Sequence, residues 1–165
     1  KQRLLKLQDI LKRYTDEENE LSLNQNVDKL SQETNMVVGK KAIHDDLMEL
    51  EKSLLFDVTV NYEKEGVEKY YSHHQRLFEV HELRLLIDAV SSAKFISTAE
   101  TEHLINKIKK LTSENQAILL KNTIILSENV KNENQQIKYS IHELHAAISN
   151  FRTITFKYGK YNLSK

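Results

Sequence analysis

The chain has 165 residues, 24 Lys/Arg against 24 Asp/Glu, a formal net charge of zero and an apolar fraction of 39%. This is the composition of a folded chain with ample material for a core, and no apolar run approaches the ~18 residues of a membrane span. The absence of Cys excludes disulfides and thiolate metal sites and fits a reducing, cytoplasmic setting.

Leu4, Leu7, Leu11 and Tyr14 repeat at i, i+3, i+7 and i+10 and predict a first helix. Ser22-Leu23-Asn24-Gln25 is a Ser-x-x-Gln capping box opening a second helix to about Glu33, with Leu23, Val27 and Leu30 on its inner stripe. After a turn over 34–39, Gly39 is expected as the N-cap of a third helix over 39–54. At 100° per residue Ile43, Leu47, Leu50 and Leu54 share one side, and Lys41, His44, Asp45, Met48 and Lys52 lie opposite. Phe56, Val58, Val60 and Tyr62 then alternate with polar residues, the period of a half-buried strand. Glu65-Gly66 supplies a turn and the chain returns through Val67 to Tyr71, with Lys64 near the hairpin tip and Lys69 on the return strand. Helices followed by a hairpin in this order predict a winged helix-turn-helix, a device that places its second motif helix in the DNA major groove.

From 79 to 151 the pattern is helical. Leu83, Leu86, Ile87 and Val90 form one stripe. Ser97-Thr98-Ala99-Glu100 is a second capping box, opening a helix with Leu104, Ile105, Ile108 and Leu111 inward, and a further helix is expected after Ser113. The run over 124–131 lacks helical spacing and reads as extended or irregular. Ile137, Ile141, Leu144, Ile148 and Phe151 alternate spacings of four and three, an apolar seam able to pack on a partner helix. Ile154, Phe156 and Tyr158 alternate with Thr155 and Lys157, so a strand is expected over 153–161. Cut off from a sheet, it would pair with another chain or fray.

Four stretches of this chain resemble the WYL-domain transcriptional regulators of bacteria: 3–14 with the following Thr15-Asp16-Glu17-Glu18; Lys40-Lys41-Ala42-Ile43-His44-Asp45-Asp46-Leu47; Phe78-Glu79-Val80-His81-Glu82-Leu83-Arg84-Leu85-Leu86-Ile87-Asp88-Ala89-Val90; and Ile154-Thr155-Phe156-Lys157-Tyr158. The third is the most specific. The resemblance implies a mainly α chain with a winged helix-turn-helix over 1–78, a helical linker and dimerisation region over 79–151, and the first strand of a truncated sensor β-barrel over 152–165. The chain contains no Trp, so the namesake Trp-Tyr-Leu motif is absent. It shows no signal-peptide pattern, lacks an initiator Met and ends in mid-pattern, and so reads as a fragment of a longer protein. Where the family has Thr, Tyr and Arg in the recognition helix, this chain has Ala42, His44 and Asp45.

These readings converge on a transcriptional regulator that binds double-stranded DNA. Lys41, His44 and Asp45 would face base edges, while Lys40, Lys52, Lys64 and Lys69 would hold phosphates. Residues 1–78 carry 12 Lys/Arg against 15 Asp/Glu, so binding must come from that local patch and be weak and salt-sensitive. Asp45 opposes it by like charge unless it meets a cytosine amino group or a cation. A two-fold homodimer is expected, with the 137–151 seam and the terminal strand as its contacts, and an effector would be sensed by the missing barrel. The alternative is a structural or protein-interaction module of the same shape that does not bind DNA. No cofactor is called for, and catalysis is not expected: there is no Gly-rich phosphate loop and no Gly-x-Ser-x-Gly. His142 and His145 with Glu143 make at best a weak metal pattern, and His73-His74 reads as the end of the hairpin. Tyr62, Tyr70 and Tyr71 read as packing of the hairpin rather than a base-stacking platform.

Overall fold

The computed structural model describes residues 1–62, 68–120 and 136–157. The chain is mainly helical with a small antiparallel sheet: α1 (Gln2–Tyr14), β1 (Leu21–Ser22), α2 (Leu23–Thr34), α3 (Lys40–Lys52), β2 (Thr59–Tyr62), β3 (Lys69–Ser72), α4 (Val80–Ser92), α5 (Thr98–Lys109), α6 (Glu114–Leu119) and α7 (Gln136–Ser149). The strands lie in the order β1-β3-β2.

Local chemistry explains most of the helix boundaries. Ser22 Oγ accepts the Gln25 N–H at 3.3 Å, and the Gln25 side chain accepts the Ser22 N–H at 2.7 Å, so both halves of the expected capping box are present. Asn35, at φ 53°, ends α2 in the left-handed region, which Asn tolerates better than most residues. Gly39 is the N-cap of α3, as expected, and Ser53 leaves the helix in an extended conformation. That exit overturns the expected inward place of Leu54: the apolar spacing continues one turn further than the helix does, and Leu54 is fully exposed. The chain from Phe56 is extended later than the alternation implied, with β2 beginning at Thr59. The hairpin pairing is as expected, Thr59 opposite Ser72 and Tyr62 opposite Lys69, while the Glu65-Gly66 turn falls outside the described residues. Sequence reasoning missed β1, whose Leu21 and Ser22 pair with Tyr71 and Tyr70.

Buried apolar side chains form two clusters. The first joins Leu7, Ile10 and Leu11 of α1, Leu30 of α2, and Ile43, Leu47 and Leu50 of α3 to Leu21, Phe56 and Tyr71. The second is thinner, Leu83 and Ile87 of α4 with Ile105 of α5 and Leu120. Two expected inward residues of that region lie at the surface: Leu86 on the flank of the Leu83–Ile87 line, and Leu111 beyond the end of α5. Ser97 and Ser113 cap α5 and α6, each accepting a backbone N–H from the third residue of its helix.

The 124–131 segment is outside the described residues. On α7, Ile137 and Ile141 are half-buried, Leu144 and Ile148 exposed, and Phe151 follows the helix at φ 51° with its side chain wholly in solvent. No strand forms in the described part of 153–161. A strand needs a neighbour to take its backbone groups, and no described segment pairs with this one.

Candidate nucleic-acid interface

The packing of α3 fixes which of its residues face outward. With Ile43, Leu47 and Leu50 turned into the first cluster, Lys40, Lys41, Asp45, Glu49, Glu51 and Lys52 are exposed, and His44 and Met48 are half-buried at the margin. Of the expected site residues on this helix, Lys40, Lys41, Asp45 and Lys52 therefore reach solvent and His44 does so in part. No side chain caps the start of α3. Its first turn combines two lysines with the partial positive charge of a helix N-terminus, the natural place for an anion.

Asp46 is withdrawn from this surface. The Arg3 guanidinium of α1 grips its carboxylate with two hydrogen bonds, one of them Nη2 to Oδ1 at 2.9 Å, and reaches the Ala42 carbonyl at 3.5 Å. The pair ties α1 to α3 and cancels one acid beside the lysines. His44 Nδ1 lies 3.8 Å from Asp45 Oδ1, so the imidazole, when protonated, screens Asp45 in part. Three exposed cations and three exposed acids remain on the helix, and the acids sit mainly toward its C-terminal half.

The hairpin adds one further cation among the described residues. Lys69 is half-buried, with its ammonium 5.2 Å from the centre of the Tyr62 ring on the paired strand; Tyr62 itself is 65% exposed. Tyr71 by contrast is a core residue, as the packing reading expected. Lys64 lies outside the described residues.

His73 is buried, its ring stacked on Phe56 at 4.3 Å and its Nδ1 2.7 Å from the Asp57 carbonyl, so it braces the base of the hairpin. Burial holds its pKa below the ordinary histidine value, partly offset by the Asp57 carbonyl. Sequence reasoning placed His73 at the end of the hairpin, where it is found, but missed what it packs against, and it missed the role of Arg3. Neither carries a motif, and each acts on a partner many residues away.

Comparisons with protein-family models, with curated proteins and with solved structures returned no match.

Proposed function

We propose that this chain is the DNA-reading and connecting part of a transcriptional regulator of the WYL type, with a winged helix-turn-helix built from α1–α3 and the β2–β3 hairpin. The observation that carries the reading is the exposed Lys40–Lys41 pair at the uncapped start of a helix whose other face is buried. In this reading α3 enters the major groove, with Lys41, His44 and Asp45 toward base edges. Lys40, Lys52, Lys64 and Lys69 hold phosphates, and Tyr62 packs beside Lys69 on the hairpin wing. The domains are 1–78 for DNA, 79–151 as linker, and 152–165 as the start of a sensor barrel. Effector sensing belongs to the remainder of that barrel. DNA is read by a cytoplasmic homodimer whose contacts include the α7 seam, and a monomer at high concentration in analytical ultracentrifugation would count against this last element.

The test is a mixed-sequence duplex titrated at several salt concentrations. Binding should fall steeply between roughly 50 and 200 mM salt, and Lys41→Glu should weaken it about tenfold and reduce the salt slope by about one or more. Asp45→Asn should strengthen it about threefold by removing a like charge from the phosphate side. No binding even at low salt would end this reading. The even balance of exposed acids and lysines on α3 favours the alternative, a protein-interaction module of the same shape, and that reading gains if Lys41→Glu leaves the affinity unchanged.

A further inference from the structure

The two apolar clusters share no residue, and a buried polar corner at Thr15 and Asp16 links them. Asp16 is 1% exposed and its carboxylate is fully engaged. Oδ1 accepts the Glu18 and Asn19 backbone N–H groups and the Asn19 amide, and Oδ2 accepts the hydroxyl of Ser113 at 2.5 Å. Ser113, wholly buried, in turn accepts the Gln116 N–H as the cap of α6. On the other side, Thr15 Oγ1 donates to Leu11 O and accepts the His73 N–H at 2.9 Å, while His73 Nδ1 contacts the Asp57 carbonyl. Arg76 clamps the same corner, donating to the carbonyls of Lys12 at 2.7 Å and Thr15 at 2.6 Å.

We propose that this corner couples α6 of the connector to the β-hairpin, so that displacing α6 loosens the hairpin beside α3. This regulation rests on the DNA-binding reading. From Gln116 through Ser113, Asp16, Thr15 and His73 to Asp57, each step is one hydrogen bond or one peptide unit. A buried carboxylate deprived of a partner retains its full desolvation cost, so the corner is either closed throughout or opened as a unit. Opening it exposes polar bonds rather than a shared apolar core. A cleft of about 610 Å³, lined among others by Glu17, Arg76, Arg84 and Gln116, lies alongside and gives α6 room to move.

Ser113→Asp tests the link in the whole chain. Asp still caps a helix, but here it sets a second carboxylate against Asp16. Amide hydrogen exchange at Tyr71 and His73 should quicken about tenfold, and adding Asp16→Asn should restore it to within about threefold. Quickening confined to 15–19 and α6, or no rescue by Asp16→Asn, overturns the coupling. Should Ser113→Asp fail to fold, Ser113→Ala should quicken the same two amides severalfold while Ser140→Ala, on the exposed side of α7, leaves them unchanged; no response to Ser113→Ala likewise overturns it. If the reading holds, Ser113→Asp also weakens duplex binding about fivefold. A wild-type chain that binds no duplex ends the DNA-binding reading alone, and the exchange measurement still decides the coupling.

Discussion

Helices on either side of residue 78 carry apolar stripes of the same spacing and close them to different degrees. In α1–α3 the stripes meet on three sides and the β-sheet supplies a lid through Leu21 and Tyr71, so Leu7, Ile10, Leu11, Leu30, Ile43 and Leu47 are all 0% exposed. In α4 and α5 two helices face each other along one line. With Leu120 they enclose Leu83, Ile87 and Ile105, and they leave Leu85 and Leu86 outside at 67% and 38% exposure. The same periodicity thus produces a core closed on several sides in one region and a smaller, partly covered cluster in the other. The number of elements that converge decides which, and not the quality of any one helix.

The sharpest way to break that comparison is to remove the same kind of buried bulk from each side. Leu47→Ala, within the first cluster, should cost about 3–4 kcal/mol, because its neighbours are fixed on several sides and cannot collapse into the cavity. Ile87→Ala should cost about 2 kcal/mol, since the thinner cluster can close over the gap. Urea unfolding followed by tyrosine fluorescence measures both, and equal losses would show the two regions to be equally tight.

Acid should also discriminate between them. Burial pushes the Asp16 carboxyl up, but the Ser113 hydroxyl, the Asn19 amide and two backbone N–H groups more than offset it and hold its pKa below the ordinary value. Glu33 follows the same logic: burial raises it, while the Tyr14 hydroxyl at 2.8 Å and the cations of Lys6 and Arg13 bring it down. His73 is lowered by burial. All three bind protons more weakly folded than unfolded. Their contribution is therefore complete above the ordinary values and lost as pH falls, first from about 6.5 downward as His73 must charge, then below about 4 as the carboxylates protonate. Urea midpoints at pH 7.5, 5.5 and 3.5 should decline in two steps, and His73→Gln should flatten the first. A chain that gains stability between pH 7.5 and 5.5 would contradict this account.

How much of this was legible in the sequence depends on distance along the chain. The Ser22–Gln25 box, the Gly39 cap and the Ser113 start of α6 could be read because each rests on residues three apart or fewer. The outward position of Lys41 followed from the inward period of Ile43, Leu47 and Leu50; Lys40 falls near the inward side by that count and is exposed because it is the first residue of the helix. Leu54 was misplaced because periodicity carries no signal for where Ser53 leaves the helix. Two-residue β1 is too short to show a period at all. The Arg3–Asp46 pair spans 43 residues and the Asp16–Ser113 bond 97, and neither residue type at such a separation marks its partner. No strand forms over 153–157, the described part of the strand expected over 153–161, for a related reason: alternation states what a strand would bury but not whether a neighbour exists to pair with it.

A smaller effect separates the two ways α2 and α3 begin. At Ser22 both members of the capping box are satisfied, so Ser22→Ala should cost about 1 kcal/mol by leaving the Gln25 N–H without its acceptor. The loss should register in the urea midpoint without altering the slope. A neutral outcome would mean that β1 pairing, rather than the cap, fixes the start of α2.

At α3 the corresponding change should run the other way. Gly39 sits at φ −72° and ψ 145°, an extended conformation open to any residue, and a Cβ there would meet nothing within 4 Å. Gly39→Ser would supply the missing cap and remove glycine's extra freedom from the unfolded chain, so it should stabilise the protein by about 0.5 kcal/mol. In the DNA-binding reading that gain carries a cost. A seryl oxygen would occupy backbone N–H groups of the first turn that a phosphate could otherwise meet, so duplex affinity should fall about twofold while the midpoint rises. A rise in both would show that the start of α3 gains only rigidity from its cap, and that Lys40 and Lys41 attract phosphate without help from the helix end.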